Sequence, residues 1–264
     1  MLISSRFGVM FFLLYLWPME NNDSKIFGLR AILEAIEADQ QIEKVYLQKD
    51  LKGSLAHQLQ KVIHEKKIAF SYVPPEKLNK LSKHQNHQGA VASISPIRFV
   101  DLEQLTNQVL SAKKDPIFLV LDQISDVRNL GAILRTAECT GVDGVILPQH
   151  GSAPINADAI KTSAGAAFRI PICKVNHILD ALYHLKSLDV QVVSVTEKTD
   201  RSIYELDLKP AMALVMGSEN RGISNNVLKN TDQKGKLPLL GSIESLNVSV
   251  ACGAVLYEAV RQRL

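Results

Sequence analysis

The sequence predicts an α/β protein in two parts, the larger built on a mostly parallel sheet. Three observations lead there. Short apolar runs alternate with amphipathic segments of helical length along most of the chain. In the carboxyl-terminal part, "IFLVLD", "GVILP", "VQVVSV", "AMALVMG" and "GKLPL" are strands separated by helices, the signature of a parallel sheet covered on both faces. A polar stretch ending at Pro116 divides that part from a smaller module of similar alternation.

The opening residues 1–24 read as a leader. "RFGVMFFLLYLWPM" is too short an apolar run for the roughly 20 residues that span a bilayer. Arg6 and the run's length leave a signal peptide open, but no small-residue cleavage site follows. The preferred expectation is an over-extended start, with Met19 opening a normal cytosolic amino terminus; a membrane-anchored form requires residues 1–18 to be translated. Residues 25–97 then give a helix near 28–38, a strand at "KVYLQ", a helix over 54–66, a strand at "IAFSYV", a helix near 75–83 and a closing "GAVASIS". Residues 98–116 are expected to be a short helix running into a linker, and 117–264 form the second domain.

With 264 residues, 46% of them hydrophobic, the chain can bury a core without staples. Cys139, Cys173 and Cys252 are scattered, so neither a disulfide framework nor a zinc site is indicated, and a reducing, cytoplasmic setting is expected. The net charge of +3 permits contact with nucleic acid without demanding it.

Ligands of such sheets bind beyond the carboxyl ends of strands. Three segments stand out there. After "IFLVLD", Asn129 sits where a helix cap is expected, and Leu130, Ile133, Leu134 and Ala137 form a buried face that excludes Arg135. "VMGSENRGIS" carries Met216, Gly217 and Glu219, and "LPLLGSIESLNVSVACGAVLYEAVRQR" carries Leu239, Ser245, Leu246 and Asn247 before a long final helix. Taken singly, Asn129 and Ser245 read equally as caps, Glu219 as a solvated loop acid and Arg135 as a solvated helix arginine. Their joint order at successive strand ends is harder to assign to chance.

"NLGAILRTA", "VMGSENRGIS" and "LPLLGSIESLNVSVACGAVLYEA" together resemble the three motifs of the SpoU, or TrmH, branch of the SPOUT methyltransferases, and "IFGLRAILEAI" with "HQGAVAS" is similar to the edges of that family's small substrate-binding domain, of ribosomal protein L30e type. The resemblance implies a carboxyl-terminal trefoil knot and S-adenosylmethionine held in it by Met216, Gly217, Leu239, Leu246 and Asn247. It also implies a homodimer, no metal, and methyl transfer to an RNA ribose 2′-hydroxyl, with a large-subunit ribosomal guanosine expected and transfer RNA as the alternative. Asn129, Arg135, Glu219, Ser245 and Asn247 are the implied catalytic set. Arg135 would stabilise a developing alkoxide or a phosphate, because a guanidinium stays protonated, and Glu219 would hold it in a bidentate pair. No G-x-G-x-x-G follows any strand, in keeping with a site unlike the dinucleotide folds.

Arg30, Lys61, Lys66 and Lys67 in the small domain suit phosphate contact. Arg128, where the family often has proline or histidine, reads either as a phosphate contact or as a solvated turn residue. His84 and His87 are too few for a metal site, and no membrane partner is expected. A different class, a catalytically idle RNA-binding assembly factor, has no need to keep all five implied catalytic residues.

Overall fold

A computed structural model describes residues 25–219, 221–243 and 245–264. The leader 1–24, and the expectations that fall on it, lie outside them. Among the described residues no helix is long and apolar enough to cross a membrane.

The small domain is a four-stranded sheet in the order β1-β4-β2-β3, with β1 Lys25–Phe27, β2 Ile42–Gln48, β3 Phe70–Val73 and β4 Ala90–Ile94. Helices α1 (Leu29–Glu37), α2 (Ser54–Glu65) and α3 (Pro75–Leu81) follow the first three strands. In β2 the side chains alternate, so that Val45 and Leu47 are buried against Ile32, Leu33 and Ile36 of α1 and Leu59 and Ile63 of α2. The pairing of β2 with β4 slips between Ile42 and Lys44, which makes Glu43 the extra residue of a bulge.

The expected linker is largely helical. Helix α4 (Leu102–Ala112) is capped by Asp101, whose carboxylate accepts from Glu103 N and Gln104 N, and it extends well into the polar stretch. Leu105 is buried in the core of the second domain, and Thr106 Oγ1 lies 2.9 Å from His184 Nε2. A Cβ on Gly144 would come within 2.9 Å of Leu105, so a glycine there lets the helix approach the sheet. The segment is a brace whose polar residues face out, and this is why its sequence resembles a linker.

The second sheet is parallel throughout, in the order β10-β8-β9-β5-β6-β7. Its strands are β5 Ile117–Asp122, β6 Gly144–Pro148, β7 Ile172–Val175, β8 Gln191–Val195, β9 Met212–Gly217 and β10 Gln233–Gly235. Every residue of β5 is buried, Leu119 and Leu121 against one layer and Phe118 and Val120 against the other. Helices α5 (Val127–Cys139), α6 (Ala157–Thr162) and α9 (Val248–Arg263) supply the first layer; α4, α7 (Ile178–Ser187) and α8 (Asn225–Lys229) supply the second. The strand expected at "GKLPL" ends instead at Gly235. Pro238 has no N–H to donate to a ladder, and the chain beyond Gly235 turns into the site described below.

The carboxyl-terminal end of α9 is stitched to the body. The Arg263 guanidinium donates to the carbonyls of Leu208, Asp115 and Pro210, and Gln262 both donates to Leu206 O and accepts from Leu208 N. The two domains meet where Lys174 Nζ on β7 lies 2.7 Å from Glu43 Oε1, with both side chains about 8% exposed.

Candidate functional site

The site lies at the carboxyl edge of the parallel sheet, where the chain leaves β5, β8 and β9. Sequence places a carboxylate at the end of β5: Asp122 is buried and its Oδ2 accepts from Ser224 N at 2.7 Å, tying down the far end of the loop after β9. The next carboxylate, Asp126, caps α5 by accepting from Asn129 N at 2.8 Å. Asn129 was the expected cap; it lies within the first turn of the helix instead. Its side chain is thereby free to turn toward the loop after β9.

That loop folds back on itself. Gly222 N donates to Ser218 O, and a Cβ on Gly217 would stand 2.1 Å from the carbonyl carbon of Gly222. Only glycine fits at the end of β9. The fold-back aims Glu219 at the start of α9. There Glu219 Oε1 accepts three hydrogen bonds, from Asn129 Nδ2 at 3.1 Å, Asn247 Nδ2 at 2.6 Å and Val248 N at 3.0 Å. Asn247 Nδ2 also reaches Asn129 Oδ1 at 2.9 Å, while Asn247 Oδ1 accepts from Ser249 N and caps the helix. A carboxylate here complements the positive end of the α9 dipole. Asn129, Glu219 and Asn247 thus lock three chain segments together, and Glu219, though exposed, is held by three hydrogen bonds rather than standing free in its loop.

Arg135 is not part of this network. It is exposed on α5 and forms no hydrogen bond or ion pair with a described residue, so the expected Glu219–Arg135 pair is absent. The reason is geometric, since positions 129 and 135 of one helix are about 120° apart around its axis. Arg128 is likewise exposed, beside the start of α5.

Below the network opens a cavity of about 770 Å³, within the range of small-molecule sites. Of the residues expected to bind cofactor, Met216, Gly217, Leu239 and Leu246 line it, as do Ser245 and Glu219; Asn247 and Asn129 sit at its border through Glu219. Thr196 and Glu197, beyond β8, line it too and were not foreseen. Their inclusion depends on β8 lying next to β9, an order no local pattern encodes. The mixture is suited to a ligand with apolar and polar parts, with exposed Leu239 and Leu246 available to cover it.

The small-domain cations are dispersed. Arg30 pairs with Glu34 at 3.8 Å and Lys61 with Glu65 at 3.7 Å, both on exposed helix surface, while Lys66 Nζ reaches Ile36 O and Lys67 O accepts from Gln149 across the domain boundary. His87 uses both ring nitrogens locally, toward Asn79 Oδ1 on α3 and Gly89 N in its own turn.

The profile of the SpoU rRNA Methylase family matches residues 116–257, and that of the RNA 2′-O ribose methyltransferase substrate binding domain matches 25–100. The 23S rRNA (guanosine-2′-O-)-methyltransferase RlmB of Xylella fastidiosa (strain Temecula1) is 35% identical over 246 residues, 93% of this chain and 99% of its own. The SpoU methyltransferase AviRb of Streptomyces viridochromogenes, solved with the cofactor AdoMet, superposes with a TM-score of 0.57 over 90% of each chain, at 24% identity, and so shares the fold. The TrmH/SpoU tRNA modifying enzyme of A. aeolicus is 30% identical with a TM-score of 0.52, covering 61% of this chain and 82% of its own. The small domain, the parallel sheet and the loops at its carboxyl edge all fall within the matched regions, and the chain belongs to the SpoU (TrmH) family of RNA methylases.

Proposed function

We propose that the protein transfers a methyl group from S-adenosylmethionine to the ribose 2′-hydroxyl of a guanosine in large-subunit ribosomal RNA. The observation that carries this reading is the cavity under the Asn129–Glu219–Asn247 network, lined by four of the five residues that the family resemblance assigns to cofactor, with Asn247 at its border. The fold-back that a Cβ on Gly217 would obstruct fits a site where backbone groups, rather than side chains, embrace the ligand. When bound, S-adenosylmethionine supplies a methyl group on a positively charged sulfur. Met216, Leu239 and Leu246 would enclose it, and Glu219 and Ser245 would orient the ribose beside it. Methyl transfer to the 2′-hydroxyl would need that oxygen held facing the methyl group and its proton passed to water, and the residues around the cavity would supply the alignment. The protein's share is positioning and charge.

The resemblance also implies a trefoil knot, and the chain path supports it: β10 lies at the sheet edge, yet α9 after it packs against α5 near the sheet centre. A homodimer is supported by an uncovered apolar stripe, Val250 and Tyr257 on α9 with Ile243 and Leu240 before it. Of the small residues in "SVACGA", Cys252 is already buried within the chain and Gly253 faces Thr136 of α5. Arg135 is exposed on α5, which packs beside α9, so a second copy seated on that stripe would approach the helix that carries it. Dimerisation therefore offers Arg135 a route to a cavity it does not line within its own chain. In this reading residues 25–97 choose the RNA, with Arg30, Lys61, Lys66, Lys67 and Arg128 on phosphates, and the enzyme works in the cytoplasm.

The test is transfer of tritiated methyl from S-adenosylmethionine to undermethylated ribosomal and transfer RNA, by wild type and Arg135→Ala. Label recovered as 2′-O-methylguanosine in large-subunit RNA and lost in the variant is the expected result. Label in transfer RNA alone reassigns the substrate, and no label in either RNA overturns the catalytic reading.

A further inference from the structure

Between the small domain and the loop after β6 lies a crevice with two lobes, about 360 and 450 Å³, that share Phe70 and His150. It is separate from the cofactor cavity, with no lining residue in common. Glu43, re-aimed by the bulge in β2, lines the smaller lobe. Its Oε1 is held by Lys174, whose ammonium also lies 4.4 Å from the centre of the Phe99 ring. Its Oε2 is buried and accepts no hydrogen bond from any described residue. A desolvated carboxylate oxygen without a donor is unfavourable, and a bulge plus a buried lysine to hold it there is a costly arrangement unless something donates to it. The charge is felt locally: burial and the nearby Glu43 both raise the Tyr46 phenol above its ordinary value. Lys25 and Lys44 border the same lobe, Lys67 borders the other, and Phe70 offers an aromatic surface between them.

An acceptor in a partly closed pocket, an aromatic platform and cations at the rim are what an unpaired base of single-stranded RNA requires. We propose that this crevice reads an unpaired guanine on the RNA strand that carries the methylated nucleotide. Its adjacent N1–H and N2–H groups donate one to each oxygen of the Glu43 carboxylate, Oε1 keeping Lys174 and Oε2 reached as the side chain tips toward the lobe; its ring rests on Phe70, and Lys25, Lys44 and Lys67 take flanking phosphates. Guanine fits best because its two donors lie side by side. The single ring N–H of uracil is flanked by two carbonyl oxygens that a carboxylate repels, and the amino groups of adenine and cytosine each adjoin a ring acceptor. The crevice opens at the same carboxyl edge of the sheet as the cavity. Its loop is tied to the one leading into α5 by Ala153 N donating to Ile124 O, and β6 stands two strand spacings from β9, roughly 10 Å. The base read there would lie on the same RNA strand as the target.

This inference rests on RNA being the substrate, and the experiment separates the two. Fluorescence anisotropy of the full chain would compare short labelled uridine oligomers carrying one central guanosine, inosine, adenosine, cytidine or uridine. Wild type is expected to bind the guanosine oligomer roughly tenfold more tightly than the all-uridine one, with inosine, which lacks the N2 amino group, between them. Glu43→Gln keeps an oxygen for Lys174 and presents an amide N–H₂ in place of Oε2, so the guanosine advantage should shrink to about twofold or less. Phe70→Leu should weaken every oligomer alike and leave the ratio intact. The inosine comparison and Phe70→Leu leave the Glu43–Lys174 pair untouched, so the test survives if Glu43→Gln does not fold. No guanosine preference in wild type, or the same preference in Glu43→Gln, overturns the proposal. Either result alongside retained methyl transfer to ribosomal RNA sinks the crevice alone, whereas no binding of any RNA sinks the substrate reading as well.

Discussion

Glu219 Oε1 and Asn247 Nδ2 lie 2.6 Å apart and join the loop after β9 to the cap of α9. Because the same oxygen also accepts from Asn129 and from Val248 N, one carboxylate holds both the final helix and the start of α5. Removing it leaves a helix-terminal N–H and two amides without their partner. Glu219→Ala should lower stability by about 1–3 kcal/mol, since charge-assisted hydrogen bonds are each worth about that much but this group is partly hydrated. Cofactor affinity should fall at least tenfold because the cavity loses its upper border. Thermal unfolding with and without S-adenosylmethionine reads both; unchanged cofactor-induced stabilisation in the variant would contradict the role given to this network.

The fold-back at Gly217 predicts a contrast between two glycines. In Gly217→Ala the new methyl group would collide with the backbone of Gly222 and Ile223, neither of which is a flexible side-chain end. The loop must move, and isothermal titration should show cofactor binding abolished or weakened more than a hundredfold. Gly253→Ala places its methyl 3.6 Å from Thr136 Cγ2, an ordinary contact, within the long helix α9. There alanine's better helix propensity should leave the monomer unharmed or stabilise it by up to about 1 kcal/mol.

Much of this was legible in the sequence, for physical reasons that also mark its limits. Strands such as β5 and helices such as α5 announce themselves by periodicity, and the three strand-end segments converge as expected. Two polar residues in "DVRN" can both cap a helix, and the choice of Asp126 over Asn129 depends on where the first turn begins. Thr196 and Glu197 reach the cavity only through strand order. Glu43 and Lys174 belong to separate domains and meet through tertiary structure alone. Pairing Glu219 with Arg135 followed from complementary charge, but charge does not specify the face of a helix.

Acid should loosen the end of α9. Hydrogen bonds from Arg261 and Gln262 hold the buried Glu258 carboxyl at about 2, below its ordinary 4.5. A group with a depressed folded-state pKa stabilises the fold above its unfolded value, and that contribution fades as pH falls from about 4.5 toward 2. Glu258→Gln should therefore be less stable than wild type at neutral pH, with the gap closing across that window. Denaturant unfolding at a series of pH values measures it, and a gap independent of pH would mean that packing, not charge, sets the cost.

Thiol chemistry should single out one cysteine. Burial pushes Cys173 and Cys252 up to about 12, with the Asp101 charge adding to the effect on Cys173, whereas Cys139 is exposed. Native protein at mild alkaline pH should take one equivalent of iodoacetamide at Cys139, and unfolded protein should take three. Peptide mass mapping identifies the site; rapid labelling of Cys252 in the native state would show that α9 detaches from its layer.

Arg135 leads to the sharpest test of the dimer. It is exposed, unpaired with described residues and absent from its own chain's cavity, and it lies on α5, the helix packed against α9. If it works across that interface, each reaction site combines the cavity of one chain with the arginine of the other. Arg135→Ala homodimers then lack the arginine at both sites, and Leu239→Arg homodimers, with a guanidinium placed in the cavity where a cationic cofactor would bind, should lack cofactor at both. A mixed dimer regains one complete site, formed by the Arg135→Ala chain's cavity and the other chain's intact Arg135. Co-expression with two affinity tags isolates that species, and its methyl transfer should approach half the wild-type rate while both homodimers stay near background. If Arg135 serves its own chain instead, each half of the mixed dimer carries one fatal defect and no activity returns.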